Sequence, residues 1–135
     1  MHIDKFKEIQ TQEDVLNFCQ YLLTSEQLSV VSSIDKWRFV KWAIANGWQA
    51  GYFEVYKKTD ESTVVFSLAS DTCKLCRDVQ SSCSKCELLK TIGTTCNKGW
   101  RAWVESGNPD LMIQLLFNSY AVLLNGKDNE ERTNR

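Results

Sequence analysis

Histidine and proline are nearly missing from this chain, with one of each among 135 residues. The single histidine, His2, stands at the start of the sequence, so no Ser–His–Asp set can be built around an interior imidazole. One proline excludes Pro-rich linkers and stalks. The six glycines are scattered, and no Gly-rich phosphate loop occurs. No apolar run approaches the ~18 residues of a membrane-spanning helix. Residues Met1–Glu8 lack the basic-then-apolar layout of a secretory signal. The expectation is a protein of a reducing cytoplasm with no membrane partner. Charge of one sign is lacking too: 16 Lys/Arg stand against 17 Asp/Glu, a net of −1. As a whole the chain is neither a basic duplex binder nor an acidic nucleic-acid mimic.

What is present is globular. Hydrophobic residues make up 43% and charged residues 24%, and five Trp, six Phe and four Tyr supply a bulky core. Thr11 and Asp14 match a capping-box helix start, followed by Val15, Cys19, Leu22 and Leu23 on one stripe. Ser32 and Asp35 carry the same signature and predict the start of a second helix, with Trp37, Val40 and Ile44 on one face and a stop at Asn46-Gly47. The aromatic and β-branched runs Tyr52–Tyr56 and Thr63–Leu68, separated by a polar loop, predict a β-hairpin. Trp100, Trp103 and Val104 share a face of a short helix ended by Ser106-Gly107. Asn108-Pro109-Asp110 then starts a final helix over Leu111–Leu124. Its apolar residues spread widely around it, which predicts burial on most sides. The fold class expected is α+β: helices packed around a β-hairpin, with a small cysteine-rich, metal-stapled segment. Residues 1–124 would form one domain containing a zinc module at about 70–97, and residues 125–135 a flexible polar tail.

Five of the six cysteines lie in that module: Cys73-Lys-Leu-Cys76, Cys83-Ser-Lys-Cys86 and Cys96. A Cys-x-x-Cys turn directs both sulfurs to one side, and two such turns complete a tetrahedron around Zn²⁺. The expected ligands are Cys73, Cys76, Cys83 and Cys86, with Cys96 as an alternative that displaces one of the middle pair. The six-residue gap between pairs is shorter than in an ordinary zinc ribbon. An iron–sulfur cluster is the alternative cofactor, although its common C-x2-C-x2-C spacing is absent. A redox dithiol is a further alternative. A disulfide framework fits poorly with the absence of an export signal. A site with four protein ligands has no open position for water, so its role would be structural. Few large apolar side chains, mainly Leu75, Val79, Leu88, Leu89 and Ile92, occur in this segment. Metal binding, worth on the order of 10 kcal/mol in small modules, would offset that deficit.

Residues 73–101 carry six Lys/Arg (Lys74, Arg77, Lys85, Lys90, Lys98, Arg101) against Asp78 and Glu87, a local net of +4. Four thiolates on Zn²⁺ leave a charge of −2, which such a surplus offsets; a nucleic-acid surface is the alternative use of it. Lys98, Trp100 and Arg101 combine an aromatic with two cations and form a candidate binding surface. Trp37 and Trp42 point roughly 140° apart on a helix, so both are buried only if that helix is covered on two sides. Cys19, on the apolar stripe, reads as a core residue. Asp60-Glu61 and Glu130-Glu131 read as solvated charge.

The run Cys73-Lys-Leu-Cys76, Cys83-Ser-Lys-Cys86-Glu-Leu, Gly93-Thr-Thr-Cys96 and Trp100-Arg-Ala-Trp103 resembles a motif of small, uncharacterised bacteriophage proteins. The resemblance covers residues 73–124; Arg77 and Glu87 stand where those proteins often have Pro. It implies a compact cysteine site and a phage-type accessory role in a bacterial cytoplasm, with no activity attached. The functional expectation is a non-enzymatic, zinc-binding protein that binds a partner protein. The alternatives are a nucleic-acid-binding zinc module and an iron–sulfur or thiol redox protein.

Overall fold

The computed structural model describes residues 4–80 and 85–133. A short 3-10 turn, Asp4–Glu8, leads into α1 (Gln12–Thr24) and α2 (Ser29–Ala45). Three strands follow, β1 (Gln49–Ala50), β2 (Glu54–Lys58) and β3 (Thr63–Ser67), and then a 3-10 turn, Ser70–Thr72. The rest is helical: α3 (Lys74–Asp78), α4 (Glu87–Ile92), α5 (Asn97–Ser106) and α6 (Asp110–Thr133). The class is therefore mixed α+β, with six α-helices and an antiparallel sheet of order β1–β2–β3 among the described residues.

Helix α1 begins at its capping box: Thr11 Oγ1 accepts from the Asp14 amide, and the Asp14 carboxylate accepts from the Thr11 amide. The hairpin pairs Val55 with Phe66 and Tyr56 with Val65. β3 is an edge strand whose outer face is closed at one point: the Gln12 carboxamide accepts from the Val65 amide and donates to its carbonyl. Unpaired edge groups invite association with other strands, and this amide removes one pair of them.

Helix α2 departs from the expectation. It starts at Ser29, and Ser32 and Asp35 lie buried inside it. Ser32 Oγ donates to the Leu22 carbonyl on α1 instead of capping its own helix. The capping signature is therefore used here for helix–helix contact. The helix is buried on most sides, packing against α1, α3, α6 and β2. That cover permits Trp37 to be buried and Trp42 half-buried at once. Gly47, at φ +89°, provides the left-handed stop.

The end of the chain differs in two ways. α6 was expected to be enclosed, but Leu111, Phe117, Val122 and Leu124 are exposed, while Met112, Leu115, Leu116 and Ser119 are buried. The helix also runs on to Thr133, through the stretch read as a polar tail. Asn108 Oδ1 accepts from the Asp110 amide at 2.8 Å, which makes the expected cap real. Among the described residues no helix is long and apolar enough to cross a membrane.

Candidate functional site

The candidate site is assembled where β3 hands the chain to the cysteine segment. Thr72 Oγ1 donates to the Ser67 carbonyl at 2.9 Å, and Ser67 Oγ donates to Asp71 at 2.8 Å. This turn delivers Cys73 to the head of α3, where its carbonyl accepts from the Arg77 amide. Cys76, one helical turn on, falls on the same side as Cys73. Lys74, between them, donates to the Ser25 and Gln27 carbonyls at 2.6 and 2.8 Å and ties α3 to the α1–α2 corner. Buried Leu75 anchors the same turn.

Two side chains of α2 face this pair. Ser33 Oγ lies 3.7 Å from Cys73 Sγ. Lys36 is only 2% exposed, and its ammonium donates to the Leu68 and Ala69 carbonyls at 2.9 and 3.2 Å. Burial pushes the Lys36 ammonium below its ordinary range, while the charges of Cys73, Cys76, Asp71 and Cys96 act against that shift. The Cys73 thiol is lowered by its interaction with neighbouring Cys76, assisted by Lys36 and Ser33, and the Cys76 thiol is raised by the same interaction. Cys76 is raised further by burial and by the charges of Cys73, Cys96 and Cys86.

Cys96 and Cys86 come from different elements. Cys96 heads α5, and its carbonyl accepts from Trp100. α5 sits close to α6 because Gly99 is bare: a Cβ there would lie 2.8 Å from Met112 Cα. Cys86 heads α4 and is buried. α4 is held to α6 by a 2.6 Å hydrogen bond between the Thr91 and Ser119 hydroxyls.

Cys73, Cys76, Cys96, Ser33 and Lys36 line one cavity of about 340 Å³, with Trp37, Phe53 and Trp100 among its walls. Trp100 stacks on Phe53 at 5.7 Å and meets Trp37 edge-on at 6.1 Å. Of the expected ligands, Cys73 and Cys76 thus meet the alternative ligand Cys96 at this cavity. Cys83 lies outside the described residues, as does His2. None of the five described cysteines is in a disulfide. Among the described residues, no group of three or more His, Cys, Asp or Glu side chains is arranged to hold a metal ion. Cys19 is half-buried in the core, as expected, and burial with the Asp71 charge pushes its thiol up to about 11.

The candidate surface Lys98–Trp100–Arg101 divides. Lys98 and Arg101 are exposed on α5, whereas Trp100 is half-buried in the aromatic wall. Lys74 is likewise bound to backbone carbonyls instead of standing free on a basic face. Lys36 and Ser33 were missed at the sequence level. Their signal was legible: Ser33, Lys36, Trp37 and Val40 fall at i, i+3, i+4 and i+7, which places one cation inside an apolar stripe.

No protein-family model, curated protein or solved structure matches the chain.

Proposed function

We propose that this chain is a small non-enzymatic binding protein whose cysteine segment is stapled by structural zinc. The observation that supports the reading is that Cys73, Cys76 and, twenty residues further on, Cys96 line one cavity beside the buried cation of Lys36, although the three are not already gathered around one point. Buried thiolates are unfavourable without a partner charge. Zinc supplies one, and Lys36 reduces the −2 that four thiolates on Zn²⁺ would leave. Cys73, Cys76 and Cys96 would be among the residues that hold the ion, and its binding would supply folding energy to this segment. The ligand is a partner protein, engaged through exposed apolar side chains such as Tyr52 and Phe53. The motif resemblance adds a phage-type accessory role in a bacterial cytoplasm. Elemental analysis of protein purified without added metal is expected to find one zinc per chain; a colourless, metal-free, folded protein refutes the reading.

A second reading is a dithiol redox protein, favoured by Cys73 and Cys76 lining one cavity a helical turn apart. It predicts a reversible Cys73–Cys76 disulfide with a measurable potential in metal-free protein. The zinc reading predicts thiols that alkylate only after chelation.

A further inference from the structure

We infer that the outer edge of β3 is a strand-accepting edge, that the strand it fits is β3 of a second copy of this chain, and that the Gln12 carboxamide occupies it in place of that strand. Neither the edge nor its seal involves the cysteine segment. The run Thr63–Leu68 holds no charged residue, no proline and no glycine, and it begins with four β-branched or aromatic residues, Thr63 to Phe66. Segments of this composition pair readily with copies of themselves when their edge is open. Edge strands are usually guarded by a charge, a proline, a bulge or short length. β1, at the other side of the sheet, is only two residues long. β3 has five, and its pairing with β2 is unbroken from Thr63 to Ser67, so no bulge turns it aside.

Tertiary placement supplies the guard that the strand lacks. The α1 capping box fixes Gln12 as the first residue of its helix, and Phe18, further along α1, packs its ring on Phe66 at 5.8 Å and seats the helix against β3. The Gln12 carboxamide then donates to the Val65 carbonyl at 3.0 Å and accepts from the Val65 amide at 2.8 Å, across 53 residues of chain. One donor and one acceptor meeting both backbone groups of a single residue is what an antiparallel neighbour offers at a hydrogen-bonded pair. Since the Val65 groups face outward, those of Thr63 and Ser67 do so too, by the alternation of a strand. A second copy turned about Val65 would set that residue against its own counterpart and Thr63 against Ser67, a register that is self-complementary under a two-fold axis. The Ser67 position is engaged as well: its carbonyl accepts from Thr72 Oγ1 at 2.9 Å, and its hydroxyl donates to Asp71 at 2.8 Å. Gln12 thus takes the central pair of the edge and Thr72 one flank.

The test begins with the wild-type protein. Val65 is 39% exposed at a sheet edge, yet its amide is expected to exchange slowly with deuterium by NMR; exchange at the rate of an open edge amide overturns the seal. Gln12→Ala is expected to speed that exchange roughly tenfold, on the scale of one hydrogen bond. It is also expected to make the chain associate with rising concentration in sedimentation velocity, while the wild type stays unassociated. Adding Val65→Lys to Gln12→Ala is expected to restore the wild-type sedimentation, because lysine is a usual guard of an exposed edge. Gln12→Glu keeps an acceptor for the Val65 amide and sets a carboxylate at the edge, so it is expected to stay unassociated. A Gln12→Ala chain that does not associate overturns the proposal. So does association that Val65→Lys leaves in place, or association of Gln12→Glu as strong as that of Gln12→Ala. A wild type whose own association disappears with Val65→Lys shows that Gln12 does not seal the edge.

Discussion

The two halves of this protein are held together by different means. The first, α1, α2 and the sheet, is organised around Phe39, whose ring meets Phe66 at 4.8 Å, Phe18 at 5.3 Å and Trp48 at 5.4 Å. Around it lie Val15, Leu22, Val40 and Val55, all almost fully buried. The second, α3 to α5, consists of helices of five, six and ten residues with few large buried side chains. Helices shorter than about 12 residues are marginal alone. The first half encloses enough apolar surface to hold itself. The second leans on α6, and this imbalance is the physical reason a cross-link is proposed there.

Metal removal should widen the contrast most. On the proposed zinc reading, chelation withdraws a contribution on the order of 10 kcal/mol. Hydrogen exchange is expected to lose protection in α3, α4 and α5 while β2 and β3 keep theirs; uniform exchange across both halves would contradict the division. Phe39→Ala probes the opposite side. Removing the ring from the middle of the aromatic cluster should cost about 3–5 kcal/mol, read as a lowered denaturation midpoint, with zinc content unchanged in the fraction that remains folded. Lys36→Met tests the seam between the halves. It removes the ammonium from the Leu68 carbonyl, while the Ala69 carbonyl keeps the amide and hydroxyl of Thr72. This should cost about 1–3 kcal/mol, and it should weaken retention of the proposed zinc in a chelator competition. Zinc retention equal to wild type would show that Lys36 holds the β3–α3 turn without compensating the thiolates.

The smallest effect is at the entrance to α1. Thr11→Ala should cost about 1 kcal/mol in thermal denaturation and leave the cysteine half untouched. Its pH counterpart follows from Asp14, whose carboxyl is held below its ordinary value by the amides of Gln10 and Thr11 and by the Thr11 hydroxyl. The stabilisation is therefore complete above the unfolded-state value and is lost as pH falls through the lowered one. An acid titration of the Asp14→Asn variant should lack that component.

Local signals were legible in proportion to how little they depend on distant partners. The α1 capping box, the Asn46-Gly47 and Ser106-Gly107 stops and the Asn108 cap are settled within a few residues and stand where the pattern put them, and the hairpin forms with its first strand two residues later than the pattern placed it, at Glu54–Lys58. Ser32 and Asp35 misled because the same signature serves a helix interior when the hydroxyl has a carbonyl on another helix to bind. The exposed apolar face of α6 misled because all-round hydrophobicity does not say how many neighbours are available. The short strand β1 had no periodicity to reveal it, being two residues held only by pairing with β2.

The amino-acid order alone determined the helix caps and stops, the hairpin and its turn, and the crowding of thiols into residues 73–96, because these follow from backbone preferences and spacing over a few residues. Which thiols line one cavity, and that a lysine of α2 lies buried beside them, was decided by the packing of α2, α3 and α5. Electrostatic attraction and ligand geometry act through space, and the distances that govern them exist only once the chain has folded back on itself.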